Sequence, residues 1–130
     1  MRGGMRFIND SKATNAEAAA RAMSCYERFV WIAGGVGKAG GIEALAPYFS
    51  RVEKAFLIGQ DGPAFAATLA AHGVAHEVVG DLETAVRLAF AQAKVSGVVL
   101  FSPAAASFDQ FPNFEVRGAR FAALAAGGEV

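Results

Sequence analysis

Arg28-Phe29-Val30-Trp31-Ile32-Ala33 runs with almost no polar residue into Gly34-Gly35-Val36-Gly37-Lys38-Ala39-Gly40-Gly41. A β-rich run that is almost continuously apolar offers no face to water, so it predicts a central strand covered on both sides. The glycines after it predict a strand-to-helix connection. Outward from this strand the pattern repeats in both directions. Short β-rich runs at 6–9, 54–58, 77–79 and 98–101 alternate with helical patterns at 14–26, 42–48, 62–72, 82–94 and 109–126. Asp61 and Pro63 open the third of these helices, Gly73 closes it, and Asp81 caps the fourth. Alternation with short connections predicts an α/β domain of three layers, Rossmann-like, with a mostly parallel sheet. Ligands of such sheets sit at the carboxyl ends of the strands, which directs attention to the segments that follow strands.

The chain has 130 residues, enough for one domain, and 54% are hydrophobic, enough for a full core. Twelve Lys and Arg balance 12 Asp and Glu, so no net charge draws the chain to nucleic acid or to an anionic membrane. Cys25 is the only cysteine; it rules out an intrachain disulfide and a cysteine-rich metal site and suits a reducing cytoplasm. No apolar run reaches the roughly 18 residues of a membrane helix. Residues 1–5 read as a leader or frayed end, and residues 6–130 as the domain.

Three of the strand-following segments carry chemistry. The first, Asn9-Asp10-Ser11-Lys12-Ala13-Thr14-Asn15, opens a helix. Thr14 with Glu17 fits a capping box. Capping leaves Asp10 and Lys12 unexplained, and opposite charges beside a positive helix start suit a polar ligand. The second is the glycine segment. It fails the phosphate-loop test, because Ile32 and Ala39 stand where glycine and a hydroxyl residue are required. Gly35, Gly37 and Gly40 do match G-x-G-x-x-G, with Asp61 downstream, so a free-standing dinucleotide-binding module is the alternative reading. Lys38 puts a cation on this loop. The third, residues 102–118, is long, irregular and rich in small residues. Ser107 with Gln110 fits a second capping box, and amides near Ser107 and Phe108 at a helix start would make an anion pocket.

In order, N-D-S-K-A-T-N (9–15), G-G-x-G-K (34–38) and S-P-A-x-A-S-x-D-Q-F-x-N-F-E-x-R-G (102–118) resemble the signature segments of the Mur ligase C-terminal domain, from about Phe7 to the end of the chain. The Ser-Lys-Ala-Thr run points to the D-glutamate-adding branch of that family. The resemblance implies ATP-dependent amide-bond formation in peptidoglycan synthesis. ATP phosphorylates the carboxylate of UDP-N-acetylmuramoyl-L-alanine, and the amine of D-glutamate attacks the acyl phosphate. It also implies that Thr14 and Lys38 hold the D-glutamate α-carboxylate. Ser107, with amides near Phe108 and Phe114, would hold the side-chain carboxylate, Asp10 would meet the ATP ribose, and Lys12 would lie near the phosphates. The triphosphate loop and the Mg²⁺ ligands would belong to a central domain, with an N-terminal UDP-binding domain before it, so this chain alone is expected to be inactive. Three positions depart from the family pattern: Val36 in place of an acidic residue, Phe108 in place of leucine and Ala105 in place of cysteine.

Other residues point to less. His72 and His76 are four apart, but Gly73 breaks the helix between them, so no metal site is expected. Trp31 reads as core, and Arg117 as a brace for the last helix.

Overall fold

A computed structural model describes residues 6–37, 41–93, 97–107 and 109–126. Five strands, β1 (Arg6–Asn9), β2 (Phe29–Gly34), β3 (Val52–Ile58), β4 (His76–Gly80) and β5 (Val98–Phe101), form one sheet in the order β1-β5-β2-β3-β4. Every pairing is parallel. The strand expected to be central is central: β2 is buried at all of its positions, between β5 and β3.

The period-two alternation of the strands builds two cores. Phe29, Trp31 and Ala33 of β2, with Ala55, Leu57 and Leu100, face one layer. That layer contains α1 (Ala16–Met23), a 3-10 helix (Glu43–Arg51) and α2 (Gly62–Ala71). Val30 and Ile32, with Phe56, Ile58, Val99 and Phe101, face α3 (Leu82–Gln92) and α4 (Phe114–Ala125) on the other side. Each fully buried aliphatic or aromatic side chain contributes about 1.5–3 kcal/mol, so a strand buried on both faces anchors the sheet. The one polar atom of Trp31 is satisfied inside the core: its Nε1 donates to the Ser102 carbonyl at 2.8 Å.

Several boundaries differ from those read in the sequence, each for a local reason. The first helix starts at Ala16, because Asn15 is its N-cap and accepts from the Ala18 amide. The expected Thr14 capping box is thus replaced by an asparagine cap one residue later, and the helix ends at Met23 rather than at 26. Residues 43–51 form a 3-10 helix that contains Pro47, which has no N–H to give. The last helix starts at Phe114, not at 109, with Asn113 accepting from the Val116 amide. Asp61 and Pro63 open α2 as expected, with Asp61 at the N-cap position, but the Asp61 carboxylate makes no capping hydrogen bond. Residues 1–5, read as a leader, lie outside the described residues, as does Lys94 in the expected fourth helix.

Candidate functional site

Because all five strands are parallel, the segments after β1, β2, β3 and β5 emerge along one sheet edge. Hydrogen bonds join them into a continuous network. The Asp10 amide donates to the Phe101 carbonyl at 2.8 Å, and Ser102 Oγ donates to Asp10 Oδ2 at 2.8 Å. Gly34 N donates to the Pro103 carbonyl, and Val36 and Ala106 exchange both backbone hydrogen bonds at 2.8 and 2.9 Å. Gly35, at φ +133°, has the Ala106 carbonyl where a Cβ would stand, 2.2 Å from the ideal Cβ position, so only glycine permits this approach.

Two carboxylates tie the segment after β3 to the neighbouring loops. Gly37 N donates to Asp61 Oδ2 at 2.6 Å, while the Asp61 amide donates to the Gly35 carbonyl. Gln60 N donates to Asp109 Oδ2 at 2.6 Å. Asp61, the acid that a dinucleotide fingerprint would turn toward a ribose, is instead spent on the glycine turn.

The segment after β5 is buried from residue 102 through 107. Ala104 within it has φ +58°, a left-handed conformation that alanine adopts at a cost of about 1–2 kcal/mol. Its neighbours hold it there: the Pro103 carbonyl is taken by Gly34 and the Ala105 carbonyl by Arg117. The Ser107–Gln110 capping box does not form. The Ser107 carbonyl accepts from the Gln110 and Phe111 amides, Gln110 Nε2 donates to the Gly80 carbonyl, and no helix starts until Phe114. The Ser107 hydroxyl, in a residue only 2% exposed, has no hydrogen-bond partner among the described residues.

The segment after β1 is more open. Asp10, Lys12 and Thr14 line one cleft of about 570 Å³, together with Arg21 and Cys25. Burial raises the Asp10 carboxyl above its ordinary range; the Ser102 hydrogen bond, and then Arg21 and Lys12, pull it back down. Lys12 is exposed and Thr14 half-buried. Phe114, half-buried at the start of α4, accepts from Ser11 Oγ through its carbonyl at 2.8 Å. Lys38 and Phe108 lie outside the described residues.

The bracing residues were not singled out as site residues in the sequence. Arg117 carried a visible signal, being a charge on the buried stripe that α4 forms with Gly118, Phe121 and Leu124. Ser11, 5% exposed between two polar neighbours, carried none. The two histidines have separate tasks: His72 meets Glu43 at 2.7 Å, and His76 Nδ1 meets the Val74 carbonyl at 2.8 Å. Among the described residues no three His, Cys, Asp or Glu side chains converge as a metal cage, and we derive no metal-dependent step from them. Among the same residues no helix is long and apolar enough to cross a membrane.

A wholly parallel three-layer domain with pooled polar loops at its carboxyl edge belongs to the class of Rossmann-like α/β domains. The family model described as "Mur ligase, glutamate ligase domain" matches residues 1–105, and the chain belongs to that family. It is 56% identical over 124 residues to the UDP-N-acetylmuramoylalanine--D-glutamate ligase of Rhizobium johnstonii, covering 92% of this chain and 26% of that protein. It is 55% identical to the protein of the same name from Phenylobacterium zucineum, over 93% of this chain and 26% of that one. For Caulobacter vibrioides the identity is 56%, over 97% and 28%. The chain thus spans about a quarter of the length of these relatives.

Proposed function

We propose that this chain is the C-terminal, amino-acid-binding domain of an ATP-dependent ligase that joins D-glutamate to UDP-N-acetylmuramoyl-L-alanine. The observation that carries this reading is the Ser107 hydroxyl. A buried polar group without a partner costs about 1–3 kcal/mol, and a ligand carboxylate arriving at the sheet edge would satisfy it. D-Glutamate has two carboxylates and needs two anion sites. Ser107, with amides near Phe108 and Phe114, holds the side-chain carboxylate in this proposal, and Lys38 with Thr14 holds the α-carboxylate. Because the helix begins at Phe114, the amide donors nearest Ser107 itself are loop amides, not a helix start.

Asp10 and Lys12 form the nucleotide side. One Asp10 oxygen accepts from Ser102, and a carboxylate has acceptor capacity left for ribose hydroxyls; Lys12, exposed on the same cleft, would meet the phosphates. ATP supplies the phosphoryl group that activates the UDP-sugar carboxylate. This chain's part is to hold the amine of D-glutamate in line for attack. The other domains of the enzyme would supply the triphosphate loop, the Mg²⁺ ligands and the UDP site, and this chain alone would form no amide. The single cysteine, exposed and unpaired, fits a cytoplasmic enzyme.

Steady-state kinetics of the full-length enzyme, with each substrate varied in turn, test the assignment. Lys38→Ala removes a charge-assisted contact of about 1.5–3 kcal/mol, so the KM for D-glutamate rises about 10- to 150-fold. Ser107→Ala acts on the same substrate more weakly. The KM values for ATP and the UDP-sugar stay near their original values. A D-glutamate KM unchanged in Lys38→Ala moves the anion site to the Ser107 segment alone, and one unchanged in both variants overturns the reading.

A further inference from the structure

Arg117 is 1% exposed on the inward stripe of α4. Its Nε donates to Ser11 Oγ at 3.0 Å, its Nη2 to the Ser11 carbonyl at 2.7 Å, and its Nη1 to the Ala105 carbonyl at 2.9 Å. The guanidinium stands over the Phe101 ring, 5.7 Å from its centroid. The Ser11 hydroxyl passes the chain on by donating to the Phe114 carbonyl. The acceptors belong to two different loops. Ser11 lies between Asp10 and Lys12, and Ala105 lies two residues before Ser107.

A brace for α4 alone would not need a cation here. An apolar side chain of similar volume would pack the helix without desolvating a charge. Burial lowers the Arg117 pKa to about 10, partly offset by Asp109, so the side chain remains charged at neutral pH despite that cost. What the guanidinium adds is a planar fork that donates to two carbonyls of separate segments at once, which a lysine ammonium cannot reproduce.

We propose that Arg117 is a positioning residue that locks the Asp10–Lys12 loop to the Ala105–Ser107 loop, so that the nucleotide and amino-acid subsites keep a fixed separation. What the two loops bind rests on the function proposed above; the lock itself does not. The D-glutamate amine must meet the acyl phosphate formed where the nucleotide delivers its phosphoryl group, so the spacing of the two subsites matters, and a misplacement of about 1 Å costs on the order of 100-fold in rate.

The test uses the full-length ligase and two readouts. Without ligands, hydrogen exchange in Arg117→Lys accelerates together at the Ala13 and Ala106 amides, on the order of tenfold at each, while β2 and β3 stay protected. With ligands, the KM values for ATP and D-glutamate rise together, about fivefold or more, with a lower kcat and an unchanged KM for the UDP-sugar. If Arg117→Lys does not fold, Ser11→Ala severs only the Nε and Phe114 links. It should then loosen both loops about threefold. Acceleration confined to one loop, to α4, or absent in a folded variant overturns the lock. Joint loosening with unmoved KM values upholds the lock and counts against the substrate assignment instead.

Discussion

The loop after β5 and the loop after β1 end side by side at the sheet edge, yet they bury their backbones in opposite ways. Residues 102–107 are buried throughout and use small side chains, so neighbouring backbones come close enough to satisfy their polar groups. The Ser107 hydroxyl is left over. Residues 10–15 present Lys12 and Asn15 to solvent and are held through Ser11. A loop packed against backbone is preformed and offers neutral donors. A loop pinned at two buried residues, Ser11 and Ala13, offers charges. A ligand that needs both kinds of contact is served by placing the two beside each other.

The comparison breaks most severely at Arg117, where both loops are tied. Arg117→Ala leaves two loop carbonyls without their donor and opens a cavity, and we expect a loss of about 3–4 kcal/mol in urea denaturation. Next comes the glycine turn that seals the buried loop. Gly35→Ala puts a Cβ against the Ala106 carbonyl at φ +133° and should cost about 3 kcal/mol. Gly41→Ala has positive φ but nothing within 4 Å, and should cost only about 1 kcal/mol. Equal losses in the same denaturation experiment would mean that the close approach to Ala106 is not what demands glycine.

Two smaller effects sharpen the contrast. Ser107→Ala removes a buried hydroxyl that has no partner, so stability should stay within about 1 kcal/mol of the original, with any change toward greater stability. A clear loss would show that the hydroxyl is structural. On the open loop, burial raises the Asp10 pKa. A raised folded-state pKa favours the protonated form in the fold. That contribution is full below the unfolded value of about 3.9 and is lost as pH rises through the folded value. Asp10→Asn should therefore melt slightly higher than the original at pH 7, with the advantage disappearing in acid. A pH-independent difference between the two melting curves would rule out this linkage.

The strand pattern was legible because burial on two faces leaves its mark on consecutive residues, and Phe29–Gly34 needs no partner to declare it. The caps were half legible. Asp81 acts as read, accepting from the Thr84 amide, whereas Thr14 and Ser107 gave way to Asn15 and Asn113. A capping motif spells out which residues can cap, not where the chain enters the helix, and Pro112 beside Asn113 delays the entry of α4. Asp61 was read first as a helix opener and then as a ribose ligand. Its carboxylate instead serves Gly37, 24 positions away in sequence, a distance that no local pattern encodes.

By itself the sequence determined the layers, the central strand, the edge at which the polar loops collect and, through three spaced motifs, the family. These follow from short-range periodicity and from residue identities, both written in the order of the chain. Only the tertiary structure decided which polar groups are spent and which are kept. Arg117 meets Ser11 across 106 positions and Ser102 meets Asp10 across 92, because parallel strands bring distant loops to one edge. Whether the Ser107 hydroxyl is used or left over depends on every neighbour's donors and acceptors in space, and that account closes only when the chain is folded.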